Sequence, residues 1–321
     1  MLAARFDEYG PAEVLAVREV PTPVAAPGQV LIDVTHAGVN FAEVMFRRGQ
    51  FPVGVPHVPG LEVAGTVRAL GDGVSALRVG QPVAALTLDG GGNAEIAAAR
   101  ADLVIPLDGE LAGLDPALAA AAPCSVTTAY GILAEAARLR AGETVAVYAA
   151  AGGVGTAAAQ FARSMGAARV VGAVGSADKI APARRYGYDD VTTYDEFPEL
   201  LADGSVDVLL DSVGGAPRQA VAGLLAPFGR HVVFGDAAAT DSTYQGNDVW
   251  FSSTARVGYN LGGLAGSRPD ILRRHLRKAL RAVADGVVRI DVTELPLSEV
   301  AEAHRRLESR SSVGKFVLRT R

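Results

Sequence analysis

Among 321 residues there is a single cysteine, Cys124, and a single tryptophan. One thiol excludes an intrachain disulfide and any multi-cysteine zinc site. No run approaches the ~20 uninterrupted apolar residues that a membrane-spanning helix needs. Arg5, Asp7 and Glu8 stand where a secretion signal would carry its apolar core, so nothing directs export and a cytoplasmic protein is expected. Basic charge is scarce too. Lys and Arg number 30 against 35 Asp and Glu, and a net charge of −5 argues against a nucleic-acid surface. The most basic segment, residues 268–281, places Ile271, Leu272, Leu276 and Leu280 at helical spacing and reads as a solvated helix face. His57 and His231 are solitary, with no nucleophile or second ligand at a fixed spacing, and read as structural.

Small residues, by contrast, are concentrated in one place. Val147 to Ala162 reads VYAAAGGVGTAAAQFA, with Gly152, Gly153 and Gly155 between an apolar run, residues 143–148, and an alanine-rich helical pattern. A strand, a glycine turn and a helix opening make a phosphate cradle. Against the dinucleotide fingerprint the stretch reads Ala150-x-Gly152-x-x-Gly155, with alanine in the first glycine slot. Gly152 would let backbone approach a pyrophosphate, and Gly155 would let the helix pack closely on its strand. Further buried strands follow at 168–174, 206–211 and 231–235, with a helix over 177–186 between the first two. Strands alternating with helices at this spacing predict a doubly wound parallel sheet.

Residues 1–110 are different. Short strand-like runs at 14–20, 29–34 and 61–67 are separated by Pro and Gly, which predicts an irregular β-rich domain. An alanine-rich helix over 116–122 leads into Thr127-Thr-Ala-Tyr130. Toward the C-terminus, 287–290 and 293–297 read as extended, and a helix capped near Ser298 and Glu302 runs to Arg306. Lys315–Leu318 is a last strand expected to pair with the N-terminal domain. The expected division is 1–120 for the first part of the β-rich domain, 121–256 for the nucleotide domain, and 257–321 for the return to the first.

Five collinear stretches carry a family likeness: Gly38-Val-Asn-Phe-Ala-Glu43 with Arg47-Arg-Gly49, Pro59–Val67, Thr128-Ala-Tyr130, Ala149–Gly155 and Asp211-Ser-Val-Gly-Gly215. In order and spacing the chain resembles the zinc-independent quinone oxidoreductases of the medium-chain dehydrogenase/reductase superfamily. The resemblance implies an α/β protein with a GroES-like β-rich substrate domain and a Rossmann domain, NADPH as hydride donor, an active-site cleft and a homodimer. Zinc-dependent relatives have cysteine where Asn40 stands and histidine where Leu61 stands, just before Glu62. Cys124 resembles the position of their third ligand, and one thiolate does not make a catalytic zinc site. No metal is expected.

The cofactor expectation sharpens at the second strand of the nucleotide domain. It ends Val174-Gly175-Ser176 without the carboxylate that would bind an NAD ribose and repel a 2′-phosphate. The resemblance places Ser176, Lys179 and Tyr194 at that phosphate, with Arg310 as a fourth member; an ordinary surface lysine is the alternative for Lys179. Ala151, Gly152, Gly153, Val154 and Gly155 would hold the pyrophosphate, with Gly175, Phe234 and Gly235 also lining the cofactor. Gly235-Asp236-Ala237 stands where relatives often read Gly-Asn-Ser, which unsettles that loop's contact with the nicotinamide amide. Asn40 is expected to orient the acceptor oxygen through its amide, or else to cap the helix that begins at Phe41. Thr128 would position the nicotinamide side. For Glu43, a basic group in the cleft and an ion pair with Arg47 at helical spacing stand equally open. Phe51 cannot donate a proton, which suits quinones whose reduced oxygens take protons from water. The expected reaction is hydride transfer from NADPH to a quinone or small enone. Reduction of an unsaturated thioester in polyketide or lipid metabolism is the alternative, and a structural or RNA-binding role is a further one.

Overall fold

The computed structural model describes residues 1–220, 223–240, 243–309 and 312–320. Its strands are Leu2–Arg5 (β1), Ala16–Glu19 (β2), Gln29–Val39 (β3), Glu62–Leu70 (β4), Pro82–Leu86 (β5), Ile96–Arg100 (β6) and Val104–Pro106 (β7). Then come Thr144–Tyr148 (β8), Arg169–Val174 (β9), Asp190–Thr193 (β10), Val206–Asp211 (β11), Leu225–Val233 (β12) and Ala255–Gly258 (β13), followed by Val292–Pro296 (β14) and Lys315–Arg319 (β15). Two compact units result. Met1–Thr127, Leu261–Gly286 and Ile290–Arg321 form one, and Thr128–Asn260 with Val287–Arg289 form the other.

In the first unit β3 is the organising strand. It pairs antiparallel with β4, β6 and β15 in a seven-stranded sheet, while β1 and β2 form a separate ribbon. Its register shifts twice against β4, and such irregularities bend a strand enough to wrap a core. Ile32, Val34, Val63, Val67, Val83, Phe316 and Leu318 meet in that core. The last strand joins as expected, with Phe316 opposite Val39. The helix Pro116–Ala121 starts where Asp115 accepts from the Ala117 and Leu118 N–H groups. The helix Pro269–Ala284 buries Leu272, Leu276 and Leu280.

The second unit is a six-stranded parallel sheet in the order β10-β9-β8-β11-β12-β13. The chain runs outward from β8 on one side and resumes at β11 on the other, so a topological switch point lies between β8 and β11.

Three expectations change. Residues 287–290 form no strand; Arg289 exchanges bonds with the Gln160 side chain, donating its N–H at 2.9 Å and accepting at its carbonyl at 3.0 Å, which ties 287–289 to the second unit. The changeovers in chain order fall after Thr127 and Asn260, a few residues beyond 120 and 256. The helix Val300–Glu308 follows a 3-10 turn, Leu297–Glu299, without a side-chain cap, and Glu302 binds Arg305 and Arg306 instead. Among the described residues no helix is long and apolar enough to cross a membrane.

Candidate active site

In the second unit the glycine turn lies between β8 and the helix Gly153–Ser164. Ala149 takes the left-handed conformation at φ 53°, rare for a residue with a Cβ. The Ala150 N–H donates to Ala173 O at 3.0 Å and the Gly152 N–H to Ala149 O at 2.9 Å, which holds the turn against β9. Gly155 is required by close approach: a Cβ there would collide with Ala149 O and lie 2.9 Å from the Ala150 carbonyl carbon. With Gly152 as the N-cap, the first-turn N–H groups of Gly153, Val154 and Gly155 open the helix toward an anion.

The ends of β9 and β10 form the adjoining wall. Thr193 pairs with Val174, and the Tyr194 N–H donates to Val174 O at 3.1 Å. Gly175, Ser176, Lys179 and Tyr194 are thereby gathered at neighbouring strand ends. Ser176 begins the turn Ala177–Lys179 without using its hydroxyl as a cap. Lys179 is 8% exposed, so it is not an ordinary surface lysine. Tyr194 sits edge-on to Tyr148, with ring centroids 5.5 Å apart. Arg310 lies outside the described residues.

On the other side of the switch point, Phe234 and Gly235 follow β12, and the Phe234 N–H donates to Asp211 O at 3.0 Å. Asp211 is fully buried at the end of β11. Its Oδ1 accepts from the Val213 and Gly214 N–H groups at 2.8 and 3.0 Å, and its Oδ2 accepts from Arg218 Nε at 2.6 Å. His231 donates from Nε2 to Oδ2 at 3.1 Å, while its Nδ1 accepts from Arg256 at 2.7 Å. Burial works to raise the Asp211 pKa, but these bonds and the Arg218 charge outweigh it and hold the carboxyl at about 2. His231 is therefore not solitary; it is one link in a buried network.

The first unit holds a second polar cluster, which register builds. Because Phe316 faces Val39, the preceding Lys315 comes level with Asn40, just past the end of β3. Glu62, the first residue of β4, lies opposite Gly38. Lys315 Nζ donates to Asn40 Oδ1 at 2.5 Å and stands 2.5 Å from Glu62 Oε1. Asn40 Nδ2 donates to Glu62 Oε1 at 2.9 Å and to Glu43 Oε1 at 3.2 Å. Glu43 Oε1 also accepts the Asn40 backbone N–H, and Asn93 Nδ2 donates to Glu43 Oε2, both at 2.9 Å. The Cys124 N–H closes the cluster on Glu62 Oε2 at 2.7 Å.

Two carboxylates around one ammonium are hard to keep ionised away from water. Burial pushes the Glu43 carboxyl up to about 7, even though the Asn40 and Asn93 bonds and the Lys315 charge pull it down. Burial and the nearby Glu62 also push the Cys124 thiol far above its usual range, which makes it a poor nucleophile.

These contacts bear on the alternatives left open at two residues. Asn40 is the N-cap residue of the helix Phe41–Arg47, and its amide donors go to two carboxylates rather than standing free for an acceptor oxygen. Glu43 makes no ion pair with Arg47: the Arg47 guanidinium is taken by Glu308, the Gly10 carbonyl and His304 Nδ1. Thr128 is buried on the helix Ser125–Gly131, in the second unit, whereas Asn40 belongs to the first. Sequence reading passed over Lys315 and Asn93 as site residues. A lysine heading the apolar strand KFVLR was the available signal, since lysines are seldom buried unpaired.

A glycine turn at the switch point of a doubly wound sheet, in a chain whose other unit is β-rich, defines the medium-chain dehydrogenase/reductase class. Residues 26–148 match the family described as alcohol dehydrogenase GroES-like domain, and 176–318 match zinc-binding dehydrogenase. The chain is 30% identical over 322 residues to a quinone oxidoreductase of Pseudomonas aeruginosa, covering 98% of both proteins. It is similar to the crystal structure of Escherichia coli quinone oxidoreductase complexed with NADPH, with a TM-score of 0.91, 27% identity and 100% of each chain covered. It is also 34% identical over 318 residues to the phthioceranic/hydroxyphthioceranic acid synthase of Mycobacterium tuberculosis, where the match takes in 95% of this chain but spans only 14% of the synthase. The chain belongs to the zinc-independent quinone oxidoreductase family of the medium-chain dehydrogenase/reductase superfamily.

Proposed function

We propose that the chain is a cytoplasmic, NADPH-dependent reductase that acts without zinc on a quinone or similar small conjugated carbonyl compound. The observation that carries this reading is the glycine cradle at the switch point, beside a strand end that offers a buried Lys179 and no carboxylate. The quinone oxidoreductase relatives support the acceptor class.

The residues fit the cofactor. Gly155 leaves space that a Cβ would fill, and the N–H groups opening the helix Gly153–Ser164 receive the pyrophosphate. Ser176, Lys179 and Tyr194 take the 2′-phosphate, with Lys179 as its counter-charge. Thr128 positions the nicotinamide side. When bound, NADPH supplies a hydride, two electrons and one proton, and leaves as NADP+, while the acceptor draws its second proton from water. Pairing with a second copy along the edge strand β13 completes the proposal; beside it the helix Gly246–Ser252 buries none of its residues and holds Trp250 and Phe251 stacked and exposed.

Reduction of an α,β-unsaturated thioester is a second reading, favoured by the 34% identity to the synthase. NADPH oxidation by the purified chain, followed with benzoquinones, naphthoquinones, short enones and crotonyl thioesters and with NADH as control, separates the two. Turnover of quinones but not thioesters upholds the first reading, and turnover of thioesters alone replaces it with the second.

A further inference from the structure

The loop after β12 carries a charge that the cofactor reading leaves unexplained. It is laced to the loop after β11: the Ala237 N–H donates to Ser212 O at 3.1 Å and the Ala238 N–H to Val213 O at 2.8 Å. Between these anchors Asp236 lays its carboxylate on Gly214, which is left-handed at φ 76° and whose added Cβ would run into Asp236 Oδ1. That oxygen is buried, and among the described residues no group donates to it. Arg218 has its guanidinium carbon 3.4 Å from the same Cβ position, yet it donates to Asp211 Oδ2 at 2.6 Å and to Gly235 O at 2.9 Å. Arg218 is hydrogen-bonded to Asp211 and interacts with Asp236 only through space, and Arg256 is held on His231 and the Tyr244 ring. Among the described residues, then, neither guanidinium donates to Asp236 Oδ1. A buried carboxylate oxygen without a donor is costly unless a ligand supplies a donor or a positive charge.

Topology says which part of a dinucleotide would do so. On the cofactor reading the pyrophosphate would lie at the turn after β8 and the adenosine at the ends of β9 and β10, so the nicotinamide half would run across the switch point to the loops after β11 and β12. We propose that Asp236 makes this site prefer the oxidised dinucleotide, an inference that rests on the cofactor reading above. The nicotinamide ring is neutral in NADPH and cationic in NADP+, and its carboxamide NH2 is a donor in both. A carboxylate beside it accepts from the amide in either state and attracts the ring only when it is oxidised. Bound NADPH and bound NADP+ are thereby biased toward NADP+, which favours hydride donation.

The test is equilibrium binding of NADP+, NADPH and adenosine 2′,5′-bisphosphate to the wild type and to Asp236→Asn, which removes the charge but keeps an acceptor oxygen. The expected result is NADP+ weakened about tenfold more than NADPH, a difference on the scale of one partly buried charge, with the bisphosphate bound equally by both proteins. An unchanged ratio of NADP+ to NADPH affinity, with bisphosphate binding intact, overturns the inference while leaving the cofactor site standing. A wild type that binds none of the three overturns the cofactor reading and this inference with it. Should Asp236→Asn lose the bisphosphate, Asp236→Ala is read by the same ratio.

Discussion

Glu43→Gln isolates the energetic cost of the buried cluster in the first unit. The Glu43 carboxyl rises from an ordinary 4.5 to about 7 on folding, with burial as the largest cause. At ~1.4 kcal/mol per pKa unit, that rise corresponds to about 3 kcal/mol. A proton leaves the unfolded chain near 4.5 and the folded chain near 7, so within that window the folded state holds more protons. Stability therefore falls as pH rises from 4.5 to 7, and above 7 the whole difference is lost. Glutamine has no charge to lose. Its oxygen can accept from the Asn40 N–H and Nδ2 as Glu43 Oε1 does, while its NH2 replaces the oxygen that accepts from Asn93 Nδ2, so the Asn93 amide must turn over to present Oδ1, which has no donor among the described residues.

The expected outcome is a variant about as stable as the wild type near pH 5 and more stable at pH 8, by up to about 3 kcal/mol, a figure that already includes the attraction of ionised Glu43 to Lys315. Urea unfolding compared across pH reads the difference, and the other titrating groups cancel between the two proteins. Two compact units need not unfold together, so hydrogen exchange of the β3 and β15 amides supplies a readout confined to the first unit. Parallel wild-type and variant stability curves from pH 5 to 8, or a variant weaker at pH 8, would refute the reasoning. Glu43 would then be kept ionised by Lys315 and the surrounding amides.

Lys315→Met should lower the urea midpoint by a loss of about 3 kcal/mol, because Glu62 is left buried without its counter-charge; adding Glu62→Gln should recover part of it, and equal midpoints for the single and double variants would speak against the pair. Gly155→Ala drives a Cβ into Ala149 O, at a cost of roughly 1–3 kcal/mol for overpacking, and should weaken NADPH binding while lowering the thermal midpoint. Lys179→Ala should weaken NADPH about tenfold and leave NADH nearly unchanged, as expected for one lost charge-assisted contact to a phosphate; equal loss for both cofactors in a binding titration would remove Lys179 from the 2′-phosphate site.

The contrast between the two units shows what a sequence makes legible. The phosphate cradle is contiguous: strand, turn and helix opening lie within residues 144–164, and Gly155 is needed because Ala149 and Ala150, only a few residues away, crowd it. Local chemistry of that kind can be read along the chain, and so could the ending of β9 without a carboxylate. The cluster around Lys315 is the opposite case. Asn40, Glu62 and Lys315 come from the ends of three strands and meet because β15 and β4 pair with β3 in one particular register; a slip of one residue would turn Lys315 to the other face. At Glu43 the local rule left an ion pair with Arg47 and contact with a basic group equally open for the same reason. Their spacing suits an ion pair, but Glu308 and the Gly10 carbonyl reach Arg47, while Asn40 and Asn93 take Glu43. His231 looked solitary because its partners stand on the neighbouring strands β11 and β13, at Asp211 and Arg256. A parallel sheet gathers strand ends that are far apart in sequence, so the charges that tune a site at its switch point are fixed by pairing rather than by spacing. Asp236 belongs with them: in sequence it is one departure in a glycine-flanked loop, and only its position on Gly214 beside the Asp211–Arg218 pair turns that departure into a statement about which oxidation state the site should favour.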